Sequence, residues 1–278
     1  MRLAVSNIAW DINQDNLIVD LLGNYSIDAI DIAPGKYFPD FSAASSQDIR
    51  RIKAWWGDRG IEITGMQSLL FGTHGLNVFG CEQSRESLLS HLRSVCRIGG
   101  ELGATRIVFG SPRNRDRSGL DDAEVEAIAI PFFHSLGNIA QEHGVTICLE
   151  PNPTCYGSNF MTDSTQTVDV IRKTAHPAIG MQFDTGAIHI NQENPEHLLA
   201  THAALFKHVH ASEPALVPLG DGSTDHRLMS AALEKYLPGH VVSIEMVATA
   251  HEDHLVSIER AIRVAVEHYR GISPDSQS

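Results

Sequence analysis

Residues 143–151 read HGVTICLEP, in which a glycine follows a helical segment, a short apolar run follows the glycine, and a glutamate ends the run. Gly144 is suited to end a helix in the left-handed conformation before a strand begins. Comparable junctions are present at Gly60 and Gly103. The stretch therefore predicts a chain that alternates between helices and short strands buried on both faces.

Eight apolar or nearly apolar runs are predicted to be strands. They are residues 3–9, 29–33, 62–69, 106–110, 146–150, 179–184, 206–210 and 241–246. Segments with helical periodicity separate them, among them 84–102, 121–143 and 257–269. Eight such units without an interrupting linker predict a single-domain α/β fold, a (β/α)₈ TIM barrel over residues 1–270 with a disordered tail at 271–278. The alternative, a doubly wound open sheet, would need a glycine-rich fingerprint after its first strand, and none is present there.

The composition limits the classes of partner. The formal net charge of −13 argues against a nucleic-acid partner, because phosphate contacts need clustered Lys and Arg. No segment reads as a signal peptide or approaches the apolar length that spans a bilayer, so we expect a cytoplasmic protein that does not contact a membrane. The four cysteines form no C-x-x-C pair, which indicates neither a disulfide framework nor a thiolate zinc site.

Four side chains that can bind metals stand at or near the ends of four successive predicted strands. They are Glu150, Asp184, His210 and Glu245. In a TIM barrel the carboxyl ends of the strands meet at one face, where active sites lie, so these residues are expected to converge. Any one of them could instead be a strand-end ion pair or hydrogen-bonding group, but their shared position favours one common site.

Three carboxylates and one imidazole form a hard, oxygen-rich donor set. Such a set suits Mn²⁺, Mg²⁺ or Co²⁺, and Zn²⁺ is compatible with it although thiolates are lacking. We therefore predict one divalent metal ion as cofactor, with Mn²⁺ ahead of Mg²⁺, Co²⁺ and Zn²⁺. Without a cation, three neighbouring carboxylates would repel one another strongly.

The segments LEPNP (149–153), FDTG (183–186), HVHASEP (208–214) and SIEM (243–246), in this order and spacing, resemble the xylose isomerase-like TIM barrel superfamily of sugar isomerases and epimerases. Within it, the ligand pattern is similar to that of the ketose 3-epimerases. The resemblance implies that Glu150, Asp184, His210 and Glu245 bind one divalent metal, and that Glu150 and Glu245 are also the catalytic acid/base pair. It also implies a small carbohydrate-like substrate and a homodimer or homotetramer.

Further residues are candidates for substrate binding. His208 lies two residues before His210, so both should face the barrel interior, where His208 could equally be a core histidine. His189 is a candidate because the epimerases carry a substrate-binding histidine shortly after the metal-binding aspartate. Here the distance along the chain from Asp184 to His189 is longer than in the epimerases. Glu213 could bind a sugar hydroxyl or be a solvated loop residue.

Two more candidates lie after the third and fourth strands. Arg113 is the first of three arginines in residues 113–117 and could bind a carboxylate or phosphate, unless the loop is solvated with internal ion pairs. His74 lies in the loop after the third strand, at the same rim.

The predicted function is metal-dependent isomerisation or epimerisation of a sugar or sugar derivative, by proton abstraction and return next to a carbonyl through a metal-stabilised enediolate. The main alternative is a dehydratase or lyase that acts on a keto-sugar or cyclitol with the same metal site. A zinc-dependent abasic-site endonuclease would need further metal ligands, and its late Asp-x-His motif is not present in this chain. A non-catalytic barrel that binds a ligand would not need the pair Glu150 and Glu245.

Overall fold

Eight parallel strands close into a barrel in their order along the chain, in a computed structural model that describes residues 1–270. The strands are β1 (Arg2–Ser6), β2 (Ala29–Ile32), β3 (Glu62–Met66), β4 (Arg106–Phe109), β5 (Thr146–Leu149), β6 (Ile179–Asp184), β7 (Phe206–Ser212) and β8 (Val241–Glu245). Each strand pairs with its sequence neighbours, and the pairing of β1 with β8 closes the barrel. The predicted TIM barrel is confirmed.

Helices follow the strands around the outside of the barrel. They are α1 (Asp15–Asn24), α2 (Ser46–Gly57), α3 (Glu82–Leu102), α4 (Asp122–Glu142), α5 (Ser164–Thr174), α6 (Thr185–Ile190), α7 (Pro195–His202), α8 (His226–Tyr236) and α9 (His254–Tyr269). Gly103 ends α3 with φ of 89°, as the helix–Gly–strand pattern predicts. None of the helices in residues 1–270 combines the length and apolar character needed to span a bilayer.

The local sequence explains why α4 begins where it does. Asp121 precedes the helix, and its carboxylate accepts a hydrogen bond from the Glu124 backbone N–H at 2.9 Å. The Glu124 carboxylate accepts one from the Asp121 backbone N–H at 2.9 Å. This reciprocal capping box satisfies two N–H groups that the first turn leaves unpaired, so α4 begins at Asp122.

The predicted strands differ from the observed ones mainly at their carboxyl ends. The first was predicted to reach residue 9, but β1 ends at Ser6 because residues 7–9 form one turn of 3₁₀ helix. The third was predicted to reach residue 69, but β3 ends at Met66, shortly before Ser68 turns the backbone to φ of 55°. Conversely, β7 continues past residue 210 to Ser212. The predicted tail, 271–278, lies outside the described residues.

The centre of the barrel contains polar as well as apolar side chains. Asp31 of β2, Gln182 of β6, His208 of β7 and Ser243 of β8 are all buried. Apolar packing continues between the sheet and the surrounding helices, as in the edge-to-face contact of Phe109 with Phe133 at a centroid distance of 5.7 Å. A rigid scaffold thus surrounds a polar interior that leads to the carboxyl end of the strands.

Candidate metal centre and adjoining cavity

The ends of β5 to β8 bring the four predicted metal ligands together. Asp184 and Glu245 are the last residues of their strands, Glu150 follows β5 directly, and His210 lies near the end of β7. In the sheet register Asp184 is the direct partner of His210. One potential ligand atom from each of the four residues lies within 4.8 Å of the others.

His210 lies at the centre of this cluster, and its imidazole ring forms no hydrogen bond with residues 1–270. Its Nδ1 is 3.2 Å from Glu245 Oε2 and 3.7 Å from Glu150 Oε1. The side chain is fully buried, yet neither ring nitrogen forms a hydrogen bond with a described residue. Buried polar atoms are rarely left unpaired without a functional reason. An unpaired imidazole nitrogen that faces three carboxylates fits a divalent cation bound between them.

Electrostatics of the cluster favour the same interpretation. Burial, together with the negative charges of Glu245 and Glu150, raises the pKa of Asp184 to about 7. Burial lowers the pKa of His210, but the charge of Glu245 and the nearby Asp31 carboxylate outweigh it, so this pKa is raised well above its ordinary value. Asp184 and His210 therefore hold their protons more strongly than usual, and a divalent cation bound here would displace those protons.

Each carboxylate of the cluster is oriented by a neighbouring donor. The Ala187 backbone N–H donates to Asp184 Oδ1 and the Ser212 hydroxyl donates to Asp184 Oδ2, both at 2.7 Å. Gln67 Nε2 donates to Glu245 Oε1 at 2.6 Å. Asn152 Nδ2 donates to Glu150 Oε2 at 3.1 Å. The carboxylates are thus held in place by residues from separate parts of the chain.

A buried hydrogen bond between Asp31 and His208 lies below the cluster. His208 Nε2 is 2.6 Å from Asp31 Oδ2, and the same oxygen is 3.8 Å from His210 Nε2. Asp31, His208 and His210 form a second group whose atoms lie close enough to suggest a metal site. The direct contact between Asp31 and His208 leaves no room for an ion, because a metal would separate its ligands further. His208 is therefore a core histidine, the alternative that its position in the sequence left open.

A cavity of about 480 Å³ opens above the four residues. Glu150, Asp184 and Glu245 line its floor. Its walls are largely apolar and come from several of the loops that follow the strands, with Leu70, Phe71, Val108, Pro112, Tyr156 and Leu216 among the lining residues. A small, mostly apolar cavity with a few convergent polar groups is typical of a small-molecule site.

Glu213 lines this cavity and also organises the loop that follows β7. Its carboxylate accepts hydrogen bonds from the backbone N–H groups of Gly220 at 3.0 Å and Thr224 at 2.9 Å. The His226 Nε2 lies 3.0 Å from the same carboxylate. Burial raises the pKa of Glu213, but these hydrogen bonds outweigh it and lower the pKa to about 2. Glu213 is therefore buried and not a solvated loop residue.

The other predicted substrate residues lie away from the cavity lining. Arg113 and His74 are exposed and do not line the cavity. His189 also lies outside the lining, and its Nε2 is 3.0 Å from the Ser223 hydroxyl. The fully buried arginine of the loop after β4 is Arg115, which donates to Asn152 Oδ1. Arg113 was the arginine predicted to bind substrate, but the 3₁₀ turn at Pro112–Arg115 exposes Arg113 and buries Arg115.

Sequence reasoning missed Gln67, Asn152 and Arg115. Asn152 is part of the segment LEPNP, so its place two residues after Glu150 was a usable signal. Gln67 directly follows β3 and could have been suspected for the same reason. No sequence signal identifies which arginine of residues 113–117 turns inward.

The chain matches the model of a family described as "Xylose isomerase-like TIM barrel" over residues 19–270. It is similar to the solved structure of a D-psicose 3-epimerase from Clostridium cellulolyticum H10 with D-tagatose, with 16% identity, coverage of 96% of this chain and 99% of the other, and a TM-score of 0.78. A 3-keto-D-glucoside 4-epimerase from E. coli has 16% identity, coverage of 95% and 98%, and a TM-score of 0.78.

A third solved structure, the IOLI protein with a bound zinc atom, has 16% identity to this chain, coverage of 98% and 100%, and a TM-score of 0.73. At this level of identity, the three structures show a shared fold. The comparison with curated protein sequences gives no match.

Proposed function

Because this chain belongs to the xylose isomerase-like TIM barrel family, we propose that it is a metal-dependent enzyme that epimerises or isomerises a sugar or sugar derivative. Its similarity to a D-psicose 3-epimerase and a 3-keto-D-glucoside 4-epimerase supports a sugar as the substrate. The proposed reaction removes a proton from a carbon next to a carbonyl group and then returns a proton to the carbon skeleton.

The observation that carries this proposal is the arrangement of Glu150 and Glu245 around His210. Each glutamate has one oxygen close to His210 Nδ1, at 3.7 Å for Glu150 and 3.2 Å for Glu245. Both also line the floor of the cavity. Two carboxylates that share a centre and border the same cavity can act on one substrate carbon from different directions.

In the proposed mechanism, one divalent ion is held by Glu150, Asp184, His210 and Glu245. We propose Mn²⁺ ahead of other divalent ions. When bound, such an ion supplies positive charge that acidifies the carbon next to a substrate carbonyl and stabilises the negative charge that develops on the substrate oxygens. One glutamate takes the proton, and the other returns a proton from the opposite face, which inverts the carbon centre. The apolar walls exclude water from the reacting carbon.

The cavity supports a small, uncharged substrate. Its volume of about 480 Å³ lies within the range of roughly 300–1,000 Å³ that is common for small-molecule sites. Among the described residues, its lining contains the carboxylates of Glu150, Asp184, Glu213 and Glu245 but no Lys or Arg. A phosphate or carboxylate group on the substrate would therefore meet no side-chain cation there.

Deuterium exchange tests the proposed reaction. The Mn²⁺-loaded protein is incubated in D₂O with a panel of neutral ketoses and keto-glycosides, and each carbon is followed by NMR. We expect deuterium at a carbon next to the carbonyl, together with a new epimer or isomer. Loss of water from the substrate would identify the dehydratase alternative. The absence of exchange into any bound, metal-loaded ligand would refute the proposal of an enzyme.

A further inference from the structure

The two glutamates of the cluster share an arrangement of their carboxylate oxygens. In each, the oxygen near His210 Nδ1 is free of side-chain amides: it is Oε1 in Glu150 and Oε2 in Glu245. The other oxygen accepts a hydrogen bond from a side-chain amide, which is Asn152 for Glu150 at 3.1 Å and Gln67 for Glu245 at 2.6 Å. Each carboxylate thus has one oxygen directed to the centre of the cluster and one fixed by an amide.

The two amides differ in how they are themselves held. Arg115 Nη2 donates to Asn152 Oδ1, so both ends of the Asn152 amide are occupied. If this amide flipped, its NH₂ group would face the guanidinium and its oxygen would face the Glu150 carboxylate, and both contacts are repulsive. Gln67 Oε1, in contrast, accepts no hydrogen bond from the described residues. Only the amide that holds Glu150 is locked in orientation.

The stability of the fold does not by itself account for a buried arginine at position 115. Its side chain is fully buried, and its Nε and Nη1 atoms form no hydrogen bonds with described residues. Burial of a guanidinium is costly unless its donors are paired, and apolar residues of similar volume often stabilise a protein as well or better. Stability alone therefore does not explain a charged residue here, whereas its contact with Asn152 does.

We propose that Arg115 is a positioning residue that acts through Asn152 to hold the Glu150 carboxylate, while Gln67 orients Glu245 without such an anchor. This inference rests on the proposed function, in which Glu150 and Glu245 transfer protons. Positioning matters because a displacement of about 1 Å of a reacting group can cost roughly a hundredfold in rate. Loss of the contact between Arg115 and Asn152 would therefore affect turnover more than substrate affinity.

A double-mutant cycle tests whether Arg115 acts through Asn152. Arg115→Met and Asn152→Ala are each expected to lower kcat of deuterium exchange about 10- to 100-fold with KM nearly unchanged, when rates are expressed per folded, metal-loaded protein. The double variant should be no slower than Asn152→Ala, because Arg115 then has nothing to hold. Multiplying effects in the double variant would overturn the proposal.

Matched variants separate positioning from a general effect on folding. Arg117 lies in the same loop, and its Nη2 is 2.6 Å from Asp122 Oδ1. Arg117→Met should therefore leave kcat unchanged. Arg115→Lys keeps the charge and a donor, so it should recover part of the activity and serves if Arg115→Met does not fold. Gln67→Leu should also lower kcat, but its effect should multiply with that of Arg115→Met, since they act on different glutamates. An Arg115→Met variant that unfolds more easily but retains wild-type kcat per folded molecule would contradict the proposal.

Metal affinity provides a readout that does not depend on turnover. Because Glu150 is a proposed ligand, Arg115→Met and Asn152→Ala should each weaken Mn²⁺ binding about 10-fold or more, with no further loss in the double variant. If the wild type binds Mn²⁺ but exchanges no deuterium, the proposed reaction is refuted while these affinities still measure the positioning. Wild-type Mn²⁺ affinity in both single variants would overturn the positioning role.

Discussion

Replacement of Gly110 by alanine should displace the carboxylate of Glu150 while its backbone stays in place. Gly110 follows β4 directly, and a Cβ atom at this position would overlap Glu150 Oε2 and lie 2.9 Å from its carboxyl carbon. The same Cβ would lie 3.6 Å from Glu150 Cβ, which is an ordinary contact. The backbone of Gly110 does not have positive φ, so the substitution introduces no backbone strain. Only the end of the Glu150 side chain has to move.

The size of the effect follows from these distances. Since carbon atoms pack at about 3.5–4.0 Å, the carboxyl carbon must retreat by at least roughly 0.5 Å, and its overlapping oxygen must move further. Displacement of a reacting group by about 1 Å costs roughly a hundredfold in rate, so we expect deuterium exchange to fall by about that factor. Overpacking of this kind should also lower the free energy of unfolding by about 1–3 kcal/mol.

The assay measures deuterium exchange and Mn²⁺ affinity of Gly110→Ala beside a matched control, Gly57→Ala. Gly57 ends α2, and a Cβ there would meet no atom within 4 Å. The control should retain wild-type exchange and gain about 0.4–1 kcal/mol of stability, because alanine restricts the unfolded chain. Wild-type exchange and metal affinity in Gly110→Ala would refute the reasoning that the Glu150 carboxylate acts from its observed position.

Three further predictions follow from the geometry of the site. Glu245→Gln should retain part of the Mn²⁺ affinity but lose nearly all exchange, because an amide cannot accept the proton; exchange at the wild-type rate would remove Glu245 from the mechanism. Asp184→Asn should chiefly weaken Mn²⁺ binding, since a charged ligand is lost, and calorimetric titration measures this against the wild type. Because the folded-state pKa of Glu213 is lowered to about 2, its ionised carboxylate stabilises the fold above its ordinary pKa near 4.5, and this stability is lost as the pH falls towards 2. The difference in unfolding free energy between the wild type and Glu213→Gln should therefore shrink between about pH 5 and pH 3, and an equal difference at both pH values would contradict the role given to its hydrogen bonds.

The sequence was sufficient to predict the barrel and the convergence of the four strand-end residues, for a physical reason. Buried parallel strands are short apolar runs, and a single charged residue at the end of such a run, like Glu150 or Glu245, stands out clearly. Once the strands are placed around a barrel, their carboxyl ends must share one face. The convergence therefore needs no knowledge of side-chain conformation.

The sequence was not sufficient for residues whose role depends on how a loop turns. Arg113 and Arg115 are chemically the same, and only the 3₁₀ turn that contains them exposes one and buries the other. His208 shares the inward direction of His210, but whether it contacts a ligand or Asp31 depends on a residue 177 positions away in the chain. Such contacts arise from tertiary packing and leave no local pattern in the sequence.

The central claim is that Glu150, Asp184, His210 and Glu245 form one divalent-metal site that enables proton transfer. The most direct test is to measure the rate of deuterium exchange into a reactive ketose while Mn²⁺ is added stepwise to metal-free protein. We predict no exchange without metal and a rate that rises linearly until it saturates at one Mn²⁺ per chain. A full rate of exchange without metal, or a rate that saturates only at three ions per chain, would contradict a single catalytic metal site.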